Sequence, residues 1–203
     1  KSCSHPIVVN SWEAMYFDFD ESKMIDFIES CAGLGIDVVV IDDGWFGNRA
    51  DDTSSLGDWE VNIKKFPNGL MGVSNACMKN GMGLGIWLEP EMISENSNLY
   101  RMHPDWCIHT LERECIEVRN QLVLDMSRKE VVDYIYGKIS ELLNAYPITY
   151  VKWDMNRYMS EVGSAFLPSD RQGETMHRYI LGLYYVLETL VTEFPNILFE
   201  SCS

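Results

Sequence analysis

The stretch Tyr146-Pro147-Ile148-Thr149-Tyr150-Val151-Lys152-Trp153-Asp154-Met155-Asn156-Arg157 reads as a short buried strand that ends in charge. Ile148, Tyr150, Val151 and Trp153 are strand formers. Strand side chains alternate between faces, so Tyr150, Lys152 and Asp154 are expected on one face and Thr149, Val151 and Trp153 on the other. An ammonium two residues before a carboxylate, on a buried face, is costly unless the groups are paired or used. Taken alone, the stretch supports a structural ion pair and a catalytic pair equally.

Outward from this strand, the chain alternates strand and helix. Strands are expected at residues 7–12, 37–41, 83–91 and 196–201. Residues 37–41 form a continuous β-branched run, the mark of a parallel strand covered on both faces. In the third strand Gly83, Gly85 and Trp87 share a face, as suits a crowded barrel interior, while Leu84, Ile86 and Leu88 face outward under helices. One helix starts at Asp20, carries Met24, Phe27, Ile28, Cys31 and Leu34 at helical spacing, and ends at Gly33 and Gly35. A second spans 67–79, with Leu70, Val73 and Cys77 on its apolar side. Ser127-Arg128-Lys129-Glu130 reads as a capping box for a third, with Val132, Ile135, Tyr136, Ile139, Leu142 and Leu143 on one stripe. A fourth covers 172–194, its buried side marked by Met176, Ile180, Leu183, Leu187, Leu190 and Val191. Residues 92–121 are irregular, with part of them a hairpin leading into 122–125.

This order predicts parallel strands joined by right-handed crossovers. No G-x-G-x-x-G follows the first strand, which argues against a dinucleotide fold. Trp12, Asp42, Asp43, Trp87, Lys152, Asp154 and Cys202 fall at the C-terminal ends of successive strands. That is where (β/α)8 barrels place their active sites. The expected fold is therefore α/β, a (β/α)8 TIM barrel of which roughly the first five β/α units are present. Residues 1–203 are read as the N-terminal part of a single catalytic domain, with no second domain within the chain.

The 203 residues are 46% hydrophobic and 12% aromatic, enough for a real core. A net charge of −15 argues against nucleic acid or an anionic membrane as partner. Cys3, Cys31, Cys77, Cys107, Cys115 and Cys202 show no C-x-x-C spacing, and the four histidines show no metal pattern. No metal and no cofactor are expected. Cys31 and Cys77 fall on apolar helix faces as small hydrophobes, and the usage fits a reducing compartment, with disulfides left open. No apolar leader and no 18-residue apolar run is visible, so the expectation is a cytoplasmic protein. Both ends read as cuts from something longer.

Asp42 and Asp43 are adjacent carboxylates that can accept hydrogen bonds from sugar hydroxyls; the plainer alternative is an Asx-turn. Trp12, Trp45 and Trp87 offer ring faces of the kind that stack on a sugar; each alone is more readily a core residue, but together with the carboxylates they suggest a carbohydrate pocket. Arg119, alone, is an ordinary surface cation.

Trp12-Glu13-Ala14, Asp42-Asp43-Gly44-Trp45-Phe46, Lys65-Phe66-Pro67-Asn68-Gly69-Leu70, Trp87-Leu88-Glu89-Pro90-Glu91-Met92, Arg119-Asn120-Gln121-Leu122-Val123-Leu124-Asp125 and Val151-Lys152-Trp153-Asp154-Met155-Asn156-Arg157 resemble, in order and along essentially the whole chain, the α-galactosidases of glycoside hydrolase family 36. The resemblance implies a (β/α)8 barrel that removes terminal α-linked galactose from oligosaccharides of the melibiose and raffinose type, with retention of configuration. It implies Asp154 as the nucleophile and Trp12, Asp42, Asp43, Trp87, Arg119, Lys152 and Cys202 as galactose-pocket residues. It also implies an acid/base aspartate on a later strand than any here, so the isolated segment is expected to be inactive. Asp125 and Glu200 are read as structural. Family members are often oligomeric, but no interface is legible. The alternatives are galactosyl transfer to a sugar acceptor, release of α-linked N-acetylgalactosamine, or a non-catalytic sugar-binding module.

Overall fold

A computed structural model describes residues 5–202. Five parallel strands form one sheet in the order β1 (Val8–Asn10), β2 (Val38–Ile41), β3 (Gly83–Leu88), β6 (Ile148–Asp154), β7 (Leu198–Cys202). Each strand pairs with the next in parallel register: Val40 with Gly85, Trp87 with Lys152, and Asp154 with Cys202. The sheet is the N-terminal portion of a (β/α)8 barrel. Between β3 and the next parallel strand the chain inserts a small antiparallel ribbon, β4 (Met92–Ile93) with β5 (Leu122–Val123).

The helices are α1 (Trp12–Met15), α2 (Glu21–Cys31), α3 (Met71–Lys79), α4 (Asn98–Met102), α5 (Lys129–Ala145) and α6 (Thr175–Glu193). Asp20 caps α2 by accepting the Lys23 N–H at 2.9 Å. Met24, Ile28 and Cys31 are buried on its inner face, whereas Leu34 lies past the helix end and is exposed. The second expected helix starts later than its spacing suggested. Residues 67–70 are turns, and α3 runs from Met71 with Val73 and Cys77 buried.

The capping box does not form. Asp125 Oδ1 takes the Ser127 N–H and the Asp125 carbonyl takes the Arg128 N–H, so α5 begins one residue late, at Lys129. Ser127 Oγ is left without a partner and Arg128 reaches instead to Asp105, at 2.6 Å. Val132, Ile135, Ile139, Leu142 and Leu143 of the α5 stripe are buried as patterned, whereas Tyr136 is half-buried, with its hydroxyl on Glu193.

On α6 the buried positions are Thr175, Tyr179, Val186 and Leu190, while Ile180 and Val191 are exposed. The expected stripe was rotated because Tyr179 counts inward. Its hydroxyl donates to the buried carboxylate of Glu91, which also accepts from Trp153 Nε1 at 3.1 Å. A polar tip with a partner lets a tyrosine serve as core.

The interior face is as crowded as the glycines of β3 implied. A Cβ on Gly85 would sit 2.7 Å from Val40 Cγ2 and 3.2 Å from Tyr150 Cβ. Strict alternation fails once, at Thr149, where β6 bulges: Leu84 pairs with Ile148 and Gly85 with Tyr150. The bulge leaves the later residues of β6 in step, so Lys152 and Asp154 still face the same side. The five described cysteines are free thiols; Cys3 lies outside the described residues.

Candidate active site

The C-terminal ends of the parallel strands surround a cleft of about 340 Å³. Trp12, Asp42, Asp43, Trp87, Arg119, Lys152, Asp154 and Cys202 all line it, so the sheet brings together every residue singled out from the sequence for this site. Phe17, Arg49, Asp52, Glu89, Gln121 and Asn156 complete the wall.

Lys152 does not pair with Asp154, although the two share a strand face. Its ammonium sits 3.0 Å from Asp42 Oδ2, across the sheet just past the end of β2. The same oxygen accepts from Asn10 Nδ2 at 2.6 Å, so the ends of β1, β2 and β6 meet on one carboxylate. Partial burial works to lower the Lys152 pKa, but the Asp42 charge and hydrogen bond outweigh it and the net shift is upward.

Asp43 is held differently. Arg49 Nε and Nη2 reach its two oxygens at 2.7 Å each, a bidentate fork, and Arg49 Nη1 donates to the Ser54 carbonyl at 2.7 Å. Arg49 is 1% exposed, with its guanidinium over the rings of Phe17 and Phe46. Burial raises the Asp43 pKa, against the pull of Arg49. The loop after β2 is thus folded back onto its own first residues.

Asp154 gathers three donors. Trp87 Nε1 reaches Oδ2 at 2.9 Å, Asn156 Nδ2 reaches the same oxygen at 2.6 Å, and the Met155 N–H reaches Oδ1 at 2.9 Å. Trp87 therefore serves this site through its N–H. Its ring is buried and stacked on Phe46, not open to a ligand. Trp45 is a core residue outside the cleft, fully buried, with Nε1 donating to the Trp87 carbonyl at 2.8 Å. Of the three tryptophans, Trp12 alone keeps a half-exposed ring, braced edge-on by Tyr16 and Phe17. Beside Asp154, the exposed Cys202 has its thiol pKa raised by partial burial and by the Asp154 charge, with Lys152 opposing.

Arg119 owes its place to a strained turn. Val118 and Gln121 exchange two backbone hydrogen bonds of 3.1 Å, and the two residues between them, Arg119 and Asn120, have φ of 55° and 57°. That is a two-residue hairpin turn of the I′ kind, which glycine and asparagine favour. Arginine in the first position costs roughly 1 kcal/mol. The turn swings the guanidinium onto the Asn156 carbonyl at 3.1 Å and Asn156 Oδ1 at 3.3 Å.

Glu89, at the end of β3, was not singled out from the sequence. It is fully buried, its Oε2 accepts from Gln121 Nε2 at 3.0 Å, and its Oε1 accepts the Asn156 N–H. Burial is the main cause that raises its pKa to about 7, aided by the charges of Asp154 and Asp43. Arg49 had a legible signal, because a buried carboxylate at Asp43 requires a cation and Arg49 follows six residues later. Asp125 and Glu200 have structural partners: Ser164 Oγ for the first and the Tyr150 hydroxyl, at 2.6 Å, for the second.

Residues 1–203 match the melibiase family. The chain is 58% identical over 198 residues to α-galactosidase AgaA of Geobacillus stearothermophilus and 50% identical over 198 residues to α-galactosidase Mel36A of Lactobacillus acidophilus. Each alignment takes in 98% of this chain and 27% of the relative, so the chain spans about a quarter of the length of these proteins. It superposes on the crystal structure of AgaA with a TM-score of 0.96 at 57% identity, over 99% of this chain and 28% of that one. A variant of AgaA solved in complex with raffinose superposes equally well. The chain belongs to the melibiase family, within glycoside hydrolase family 36.

Proposed function

We propose that the enzyme containing this chain releases terminal α-linked galactose from oligosaccharides such as raffinose, with retention of configuration, and that Asp154 is its nucleophile. Residues 1–203 are then the N-terminal part of its single catalytic barrel. The observation that carries this reading is the setting of Asp154: a buried strand-end carboxylate in the cleft, held by three N–H donors and flanked by the Lys152–Asp42 pair.

The chemistry follows from that setting. Two of the three donors load Oδ2, so Oδ1 is the less encumbered oxygen and is assigned to bond formation. Its lone pair attacks the anomeric carbon as the glycosidic C–O bond breaks, forming a galactosyl ester. The leaving oxygen takes a proton from a general acid. Water then releases galactose, with the same group acting as base. Asp42 offers an acceptor and Lys152 and Arg119 offer donors to the sugar hydroxyls. Asp43, its oxygens held by Arg49, shapes the same wall, and Trp12 presents an apolar ring face.

Retaining catalysis needs a second carboxyl about 5–5.5 Å away. Glu89 has a pKa suited to an acid, but it is fully buried and both its oxygens are engaged. As the family resemblance implies, the acid is assigned to a later barrel strand, outside these 203 residues. Relatives of this chain are named α-galactosidases, and one is solved with raffinose, which supports the choice of sugar. The test is Asp154→Asn in the full-length enzyme with an aryl α-galactoside. Turnover is expected to fall at least about a thousandfold; near-normal turnover would remove Asp154 from this role.

A further inference from the structure

Four residues around Asp154 form a closed ring of contacts. The Asn156 N–H donates to Glu89 Oε1, and the Asn156 carbonyl and Oδ1 accept from Arg119 Nη1. Arg119 and Gln121 stand on one hairpin, closed by the Val118–Gln121 backbone pair. Gln121 Nε2 returns to Glu89 Oε2 at 3.0 Å. Only one member of the ring is anchored directly at the sheet: Glu89 follows Leu88, the last residue of β3. The other three belong to two loops, one after β6 and one before β5. From this ring Asn156 Nδ2 reaches Asp154 Oδ2 at 2.6 Å.

We propose that Glu89 is a positioning residue of this active site: it ties the loop after β6 and the Arg119 hairpin to β3, and so holds Asn156 against Asp154 and Arg119 at the cleft. The proposal rests on the reading of Asp154 given above. Glu89 stands in the cleft wall but is fully buried, with both its oxygens taken by Gln121 and Asn156, so it acts through Asn156 and the Arg119 hairpin. Its buried position has one further feature. Gln121 Oε1 is buried without a hydrogen-bond partner. A half-turn of the Gln121 amide would present that oxygen to Glu89, which it can meet only if Glu89 Oε2 carries a proton. The pair therefore has a hydrogen bond available in either charge state of Glu89, and the raised pKa of Glu89, with Asp154, Asp43 and Arg49 the charges that face it, makes both states accessible near neutrality.

This arrangement separates two substitutions. Glu89→Gln keeps an acceptor for the Asn156 N–H and a donor for the rotated Gln121 amide, so the ring survives without a titrating group. Glu89→Ala opens the ring. In the full-length enzyme with an aryl α-galactoside, Glu89→Ala is expected to lower kcat at least about a hundredfold, with a several-fold rise in KM from the freed Arg119. Glu89→Gln is expected to stay within about tenfold in kcat and to lose any pH dependence of the rate that Glu89 contributes near neutrality. Amide hydrogen exchange at Asn156 reads the anchor without reference to substrate: protected in the wild type and in Glu89→Gln, and at least about tenfold faster in Glu89→Ala under conditions where the rest of the sheet stays protected. Wild-type kcat and unchanged Asn156 exchange in a folded Glu89→Ala would overturn the proposal. A wild-type enzyme inactive on α-galactosides, with Asn156 exchange still governed by Glu89, would instead fault the assigned reaction and leave the anchor standing.

Discussion

Lys152 Nζ lies 3.0 Å from Asp42 Oδ2, and this bond joins the fourth parallel strand to the second across the mouth of the cleft. The lysine therefore pairs across the cleft wall, and the carboxylate on its own strand is left to other donors. Replacing Lys152 by Met should leave Asp42 buried with Asn10 as its remaining side-chain partner. The expected result is a loss of roughly 1–3 kcal/mol in stability and a rise in KM for an aryl α-galactoside larger than the fall in kcat. Steady-state kinetics and urea denaturation measure both.

The Arg49–Asp43 fork should be among the most sensitive contacts in the chain. Arg49→Met strands a buried carboxylate and is expected to cost about 3–5 kcal/mol. Arg49→Lys keeps the charge but cannot form the fork, and is expected to recover only part of that loss. Denaturant midpoints of the two variants, compared with a wild-type control, test the order.

Gly85 sits where a side chain has no room. Gly85→Ala brings a methyl group to within 2.7 Å of Val40 Cγ2. Overpacking of this kind should cost about 1–3 kcal/mol. A neutral effect on the thermal midpoint would mean that the interior of the sheet is looser than the packing of Val38, Val40 and Tyr150 implies.

Glu89 should make stability depend on pH in an unusual direction. Its pKa is raised from 4.5 to about 7 on folding, so between those values the folded protein holds a proton that the unfolded chain releases. Its contribution therefore declines as pH rises through that window and levels off above it, by about 3 kcal/mol at most. Glu89→Gln removes this slope. Urea denaturation at about pH 5 and about pH 8 should show the variant gaining on the wild type at the higher pH.

The strands were legible because each is a short apolar run bounded by polar loops: the four residues of β2 are all buried, as a continuous β-branched run predicts. Position at the strand ends was enough to gather Asp42, Trp87, Lys152 and Asp154 on one rim. The partnerships were not legible. Alternation places Lys152 beside Asp154, but it carries no information about a carboxylate on a strand two places away in the sheet. Ser127 has the right spacing for a cap, yet Asp125 takes the Ser127 N–H that Glu130 would have accepted in the box. Trp45 and Trp87 look alike as strand-end aromatics; only packing decides that one is core and the other lends its N–H to Asp154. Arg119 and Asn120 gave no turn signal of the glycine kind, so the hairpin that aims Arg119 emerged only in three dimensions.

The bond from Asp154 to the anomeric carbon can be trapped and located directly. The full-length enzyme should be treated with a fluorinated α-galactosyl compound whose glycosyl-enzyme ester hydrolyses slowly, then digested and sequenced by mass spectrometry. A single galactosyl-derived adduct is expected on the peptide Val151-Lys152-Trp153-Asp154-Met155-Asn156, carried by Asp154. An adduct on any other carboxylate, in an enzyme inactivated one-to-one, would contradict the assignment of Asp154.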